Sequence, residues 1–228
     1  MHKIHDRITQ VNTRIKNAAL TASRNPQEIT LLAVSKRQPC ELIQAAYDAG
    51  LRDFGENYLQ EALDKRPLLN MPDARWHFIG PIQSNKTRAI AEQFQWVHSV
   101  DRFKIAQRLS AQRPPNEAPL NVCLQVNIDN EVSKAGTRVE DVEALALEIT
   151  ELPNIKLRGL MTIPQAESTS DTSPFLRLKT LLERLKIHPQ LANMDTLSMG
   201  MSGDLEDAIQ NGATLVRIGT ALFGARDN

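Results

Sequence analysis

The sequence predicts an α/β fold, a (β/α)8 barrel of the TIM type preceded by an extra N-terminal helix and forming a single domain over residues 1–228. Three observations point there. Short apolar runs alternate with amphipathic stretches, the pattern of a parallel sheet whose strands are joined by helices. Eight such runs occur, the number that closes a barrel, and the mean repeat after the leading helix is about 25 residues, near the low end for that fold. No break in composition divides the chain. An open doubly wound sheet shares this periodicity and stands as the alternative.

The leading segment places Ile4, Ile8, Val11 and Ile15 on one helical face, with Asp6, Arg7, Thr13 and Arg14 opposite. Such a helix is expected to cover the open end of a core. Ile29 to Val34 is mostly apolar and reads as a strand buried on both faces. Leu42, Ile43, Ala46 and Tyr47 then have helical spacing, with Gly50 where the helix stops. Arg52 to Gly55 is the second strand, and Tyr58, Leu59, Ala62 and Leu63 mark a helix ended near Pro67. Trp76 to Ile79 and Trp96 to His98 are the third and fourth strands. The helix between them runs from about Ser84 to Phe94, and the next from Asp101, as cap, to Gln112.

The proline-rich stretch from Arg113 to Pro119 is a loop leading to the fifth strand, Asn121 to Asn127. Val139, Val142, Leu145, Ala146 and Ile149 form the next helix, and Lys156 to Met161 the sixth strand. Gln165 to Pro174 is polar and reads as a loop on the ligand side of the barrel, either a lid or a flexible insertion. Phe175, Leu178, Leu181, Leu182 and Leu185 make a further helix. Thr196 to Ser198, the helix Leu205 to Gln210, and Thr214 to Arg217 complete the series.

Composition narrows the function. Lysine plus arginine and aspartate plus glutamate each total 27, so no basic excess marks a general nucleic-acid binder. No run approaches the ~18 apolar residues of a membrane span, and the N-terminus lacks the apolar core of a secretory signal. A cytoplasmic protein is expected, and the absence of an obvious apolar surface patch favours a monomer. Cys40 and Cys123 form no CxxC pair and no Cys/His cluster has zinc spacing, so both read as free thiols.

In this fold chemistry sits at the C-terminal ends of the strands. The residues there are Lys36, Asn57, Gly80, His98, Asn127, Met161, Ser198 and Arg217, more polar than a structural rim requires. Lys36 shares a strand face with Leu32 and Val34, which aims its amine into the barrel. Desolvation there favours the neutral nucleophile, which forms Schiff bases with aldehydes; a lysine snorkelling to the surface is the competing reading. The segments Ser198 to Asp204 and Arg217 to Thr220 follow the last two strands, the common phosphate site of such barrels. Their glycines admit an anion to backbone N–H groups, and Ser202 and Thr220 add hydroxyls. Arg217 stays charged and needs an acceptor, either a protein carboxylate or a ligand atom. His77 and His98 read as packing or hydrogen-bonding histidines, and Met199 and Met201 as gap fillers.

Seven segments carry a resemblance: Ala33-Val-Ser-Lys36, Phe54-Gly-Glu-Asn-Tyr58, Trp76-His-Phe-Ile-Gly80 with Gln83-Ser-Asn-Lys86, Ser133-Lys-Ala-Gly136, Arg158-Gly-Leu-Met161, Ser198-Met-Gly-Met-Ser202 and Arg217-Ile-Gly-Thr-Ala-Leu-Phe-Gly224. Together they resemble the pyridoxal phosphate homeostasis protein family, related to the N-terminal barrel of alanine racemases. The resemblance implies a barrel binding pyridoxal 5′-phosphate. Lys36 matches the family's Schiff-base lysine, holding the cofactor as an internal aldimine. Ser202, Gly219 and Thr220, with the Ser198 segment, match the phosphate cradle, and Arg217 the arginine facing the pyridine nitrogen. Asn57 and His77 sit in motifs lining the pocket. Lys134 sits in a family motif of less defined role, and Ala135 stands where many relatives have serine.

Arginine opposite the ring nitrogen disfavours its protonation and makes the ring a weak electron sink. The resemblance therefore implies a protein of intracellular vitamin B6 homeostasis that buffers the cofactor or delivers it to apo forms of pyridoxal phosphate enzymes. The rival is an amino-acid racemase or other α-carbon enzyme, with Lys36 as one base and His77 or Tyr58 as the second. A scaffold that ignores the ligand is the third reading, and the intact Lys36 and phosphate segments argue against it.

Overall fold

The structure is a computed structural model and describes residues 2–131, 134–165 and 172–224. Helix α1 (His2–Thr21) leads into strand β1 (Thr30–Val34) and helix α2 (Cys40–Asp48). Then come β2 (Asp53–Glu56), α3 (Leu59–Lys65), β3 (Arg75–Phe78), α4 (Thr87–Gln93), β4 (Trp96–Val100) and α5 (Phe103–Gln112). The second half holds β5 (Leu120–Asn127), β6 (Thr137–Arg138), α6 (Val142–Thr150), β7 (Ile155–Met161), α7 (Pro174–Leu185), β8 (Thr196–Ser198), α8 (Leu205–Gln210), β9 (Leu215–Ile218) and α9 (Thr220–Phe223).

Every strand pairing is parallel. β1 pairs β2 and β9, the order runs on through β3, β4, β5, β7 and β8, and the β4–β5 pairing closes the ring. The doubly wound alternative is thereby excluded. β6 is a two-residue bridge against Val126 and Asn127, outside the barrel, so the sixth to eighth strands read from the sequence are β7 to β9.

The main apolar core lies between the barrel wall and the ring of helices. Phe54, Trp76, Phe78, Ile90, Val97, Leu109, Leu124 and Leu178 are among its buried members. Each such side chain contributes about 1.5–3 kcal/mol over leaving it in water. The barrel interior is different. Leu32, Val34, Cys123, Met161 and Leu215 are buried there apart from the main core, beside the buried polar residues Asp53, His77, His98, Ser198 and Arg217. Interiors of such barrels are ordinarily filled by bulky aliphatics, so this polar content calls for a function.

Three local expectations need correction. α1 does not cover an open end of the barrel. Its apolar face packs on α2, α8 and α9, because the four-residue α9 leaves a gap in the helical ring that α1 fills. Asp101 does not cap α5: Arg102 is the capping residue, without a side-chain bond, and the Asp101 carboxylate takes a bond from Arg102. The fourth strand runs on to Val100, which moves His98 from the rim to the middle of a wall.

Candidate functional site

At the C-terminal ends of the strands lies a cavity of about 270 Å³. Lys36, Asn57, Ser202, Arg217, Gly219 and Thr220, six of the eight residues singled out from the sequence, line it. Val34, Ile79, Ile163, Met201 and Gly203 complete the lining.

Lys36 sits two residues beyond the end of β1, in register with the interior face of Leu32 and Val34. Arg37 then takes a left-handed conformation (φ 58°), which turns the chain sharply away behind the lysine. Such a conformation costs a non-glycine residue about 1–3 kcal/mol unless neighbours hold it. Here the Arg37 N–H donates to Glu61 Oε1 at 2.5 Å, and the Arg37 guanidinium lies 5.3 Å from the Tyr58 ring centre. Below the turn, Lys65 Nζ donates to the Ser35 carbonyl at 3.1 Å. The Ser35 hydroxyl donates to the buried Glu56 at 2.6 Å. Burial pushes the Glu56 carboxyl up to about 7, against the opposing pull of Ser35 and Lys65.

The opposite wall is built by the segments after β8 and β9. Gly200 has φ 92°, and a Cβ there would stand 2.5 Å from that of Ala208, so glycine is required to fold Met201 to Gly203 over the mouth. The Ala221 N–H donates to Ser202 Oγ at 3.3 Å and joins the two segments. From outside, Arg14 of α1 donates to the Ser202 carbonyl at 3.0 Å while gripping Glu206 through two bonds of 2.7 and 2.8 Å. Met201, read as a gap filler, is 40% exposed and lines the cavity, whereas Met199 is fully buried.

Arg217 rises from β9 into the floor of the cavity. Its guanidinium donates to the Ser198 carbonyl at 2.6 Å, Ser198 Oγ at 2.9 Å and the Thr162 carbonyl at 2.8 Å. That uses three of its five N–H donors. Among the described residues no carboxylate comes within ion-pair distance of it. Burial lowers its pKa to about 10, which still leaves it charged at neutral pH.

Ser198 and His77 do not line the mouth. Ser198 is fully buried beneath Arg217, and His77 lies deeper still. His98 Nδ1 is 2.8 Å from Ser198 Oγ, His98 Nε2 is 2.9 Å from His77 Nδ1, and His77 Nε2 is 3.0 Å from Asp53 Oδ1. Burial lowers both imidazole pKa values, that of His98 farther because His77 and Arg217 add to it. Burial works against ionised Asp53 too, but bonds from Arg75 and His77 overcome it and hold its carboxyl at about 2. His77 and Asp53 look onto a second cavity, of about 630 Å³, at the N-terminal ends of the strands. The polar interior is therefore continuous from one end of the barrel to the other.

The family profile described as "Alanine racemase, N-terminal domain" matches residues 11–227. A curated relative from Pseudomonas aeruginosa, named "Pyridoxal phosphate homeostasis protein", is 59% identical over 229 residues, covering 100% of this chain and 97% of the relative. The chain belongs to the pyridoxal phosphate homeostasis protein family. An Escherichia coli K12 member of the same name is 47% identical, covering 100% of this chain and 98% of the relative. Among solved structures, PipY of Synechococcus elongatus with PLP bound is 37% identical, with a TM-score of 0.83 over 97% of this chain and 100% of PipY. Alanine racemase of Corynebacterium glutamicum is 17% identical, with a TM-score of 0.69 over 98% of this chain and 62% of the racemase. That likeness is one of fold alone. Members of the pyridoxal phosphate homeostasis protein family are thus matched over nearly their whole length, whereas the racemase extends well beyond the shared barrel.

Sequence reading missed Ile79, Ile163 and Gly203 as lining residues of this family member. Ile79 was accessible, since it alternates with His77 along one strand face. Asp53 lies outside every quoted motif, and Glu56, inside the Phe54 to Tyr58 motif, was assigned no role of its own. The Gln165 to Pro174 loop lies mostly outside the described residues, as does Ser133 of the Ser133-Lys-Ala-Gly136 motif. Lys134 is described, and its amine donates to the Pro164 carbonyl at 3.2 Å. No helix among the described residues is long and apolar enough to cross a membrane.

Proposed function

We propose that this protein holds pyridoxal 5′-phosphate at the mouth of the barrel and keeps its reactive aldehyde bound and available to apo-enzymes, a role in vitamin B6 homeostasis rather than catalysis. The carrying observation is that Lys36 and Arg217, which has no carboxylate partner among the described residues, face one cavity together with Ser202, Gly219 and Thr220. The donor set fits the group. An aldehyde needs an amine, and Lys36 is the residue that would hold it covalently. A phosphate needs hydroxyl and amide donors, which the Ser202 and Gly219–Thr220 segments provide. A pyridine nitrogen accepts a hydrogen bond, and Arg217 has donors left to give. When bound, the cofactor supplies an electron sink whose strength depends on protonation of that nitrogen. Arg217, itself charged at neutral pH, offers it no proton and keeps the sink weak.

A racemase needs an acid/base on each face of the reacting carbon. Lys36 and Arg217 are the ionisable side chains among the described lining residues. His77 sits inside the barrel, and Tyr58 is 44% exposed, its hydroxyl 3.4 Å from Arg37. The protein is expected to act in the cytoplasm as a monomer. Two assays test the reading. The loaded protein should transfer cofactor to an apo-enzyme and restore its activity. It should exchange no α-deuterium into amino acids. Exchange that Lys36→Ala abolishes would overturn the non-catalytic reading, and failure to restore any apo-enzyme would remove delivery.

A further inference from the structure

We propose that Asp53, at the far end of the barrel from the cofactor, is a positioning residue for Arg217, acting through His77, His98 and Ser198 as a single one-directional hydrogen-bond relay. This rests on the pyridoxal 5′-phosphate reading above. The contacts leave one arrangement of protons. Asp53 is ionised and accepts only, so His77 carries its hydrogen on Nε2, 3.0 Å away. Neutral His77 then presents a bare Nδ1, which must accept from His98 Nε2–H across 2.9 Å. Neutral His98 in turn presents a bare Nδ1 to Ser198 Oγ at 2.8 Å, so the hydroxyl donates downward. The Ser198 oxygen is left to accept from Arg217 at 2.9 Å. Reversing any link sets two lone pairs or two hydrogens face to face. Protonating His77 likewise sets two hydrogens face to face across its link to His98.

Five strand positions on five different strands, β2, β3, β4, β8 and β9, supply these groups. Packing fixes the rings further. His77 is stacked on Trp96 with centres 5.5 Å apart and planes 7° from parallel. The relay begins at a positive group and ends at a negative one, so every link is polarised in the same sense, and such series strengthen one another in a low-dielectric interior. Ser198 anchors Arg217 through both its carbonyl and its hydroxyl, and the hydroxyl keeps its orientation only while His98 accepts from it. Arg75 caps the Asp53 carboxylate at the solvent-facing floor through bonds of 2.6 and 2.5 Å. A charge set at that floor is thereby felt at the guanidinium that faces the cofactor ring.

The test combines two readouts on the full-length protein. In the cofactor-free wild type, imidazole ¹⁵N spectra should show His77 and His98 neutral, each protonated on Nε2. In Asp53→Asn the fixed tautomers should be lost. In the loaded protein, Asp53→Asn should move the absorption band of bound pyridoxal 5′-phosphate and weaken its retention about three- to tenfold, the size of one net hydrogen bond. Ser198→Ala, which cuts the relay at its other end, should give the same band shift, and the double variant no further shift. That variant keeps the proposal testable should Asp53→Asn fold poorly. A wild type with both tautomers as stated but no uptake of the cofactor would overturn the cofactor reading and leave the relay without its proposed role. Normal uptake with band and retention unchanged in both variants would overturn the positioning role alone.

Discussion

Replacing Glu56 by glutamine tests the energetics of the wall behind Lys36. Glu56 ends β2 and is fully buried. Its Oε1 accepts from the Ser35 hydroxyl at 2.6 Å and lies 3.8 Å from Lys65 Nζ, while Oε2 has no hydrogen-bond partner among the described residues. Burial raises its pKa from 4.5 to about 7. Between those values the folded protein keeps a proton that the unfolded chain has released. Stability from this group is therefore full below 4.5, falls as pH rises through the window, and levels off above 7. At about 1.4 kcal/mol per pH unit, the loss between pH 5 and pH 8 is about 2.5 kcal/mol. Glutamine keeps the shape and the Ser35 bond but cannot ionise. Urea unfolding of both proteins at pH 5, 6, 7 and 8 should show Glu56→Gln gaining about 2.5 kcal/mol on the wild type across that range, most of it below pH 7. A difference that stays constant with pH would refute the reasoning, since every other titrating group is common to the two proteins.

Arg14→Ala should release the Ser202 segment from α1: about 1 kcal/mol or less of stability is lost, because the Glu206 pair is partly exposed, while phosphate competes more effectively with bound cofactor in an equilibrium dialysis assay. Gly200→Ala meets both a positive φ and a 2.5 Å approach to Ala208, so thermal unfolding should show a loss of about 1–3 kcal/mol. Burial pushes the Cys123 thiol up to about 12, and Cys40 is partly exposed. Brief alkylation of the native protein followed by mass mapping should label Cys40 and spare Cys123.

The barrel was legible because its signal is local. Each strand is a short apolar run and each helix an amphipathic one, and only the closing β4–β5 pairing required the structure. The mouth was legible for a related reason: residues at strand ends inherit their position from the strand, so Lys36, Asn57, Arg217 and Gly219 followed from alternation and fold. What was hidden depends on long-range contact. The placement of α1 follows from the shortness of α9, some 200 residues away. The extent of β4 is set by its neighbours β3 and β5, which carried His98 inward. The links of the interior relay are 24, 21, 100 and 19 residues apart in sequence, a separation no local pattern reports. Asp53 and His77 become neighbours through the β2–β3 pairing, but only closure of the barrel brings His98 of β4 to Ser198 of β8.

The most direct test of the central claim is an absorption spectrum of the protein with added pyridoxal 5′-phosphate, taken before and after borohydride and followed by peptide mass mapping, with Lys36→Ala in parallel. The account predicts a yellow protein whose cofactor becomes irreversibly fixed to Lys36, and no fixation in the variant. A colourless wild type that takes up no cofactor, or fixation at another lysine with Lys36 unmodified, would contradict it.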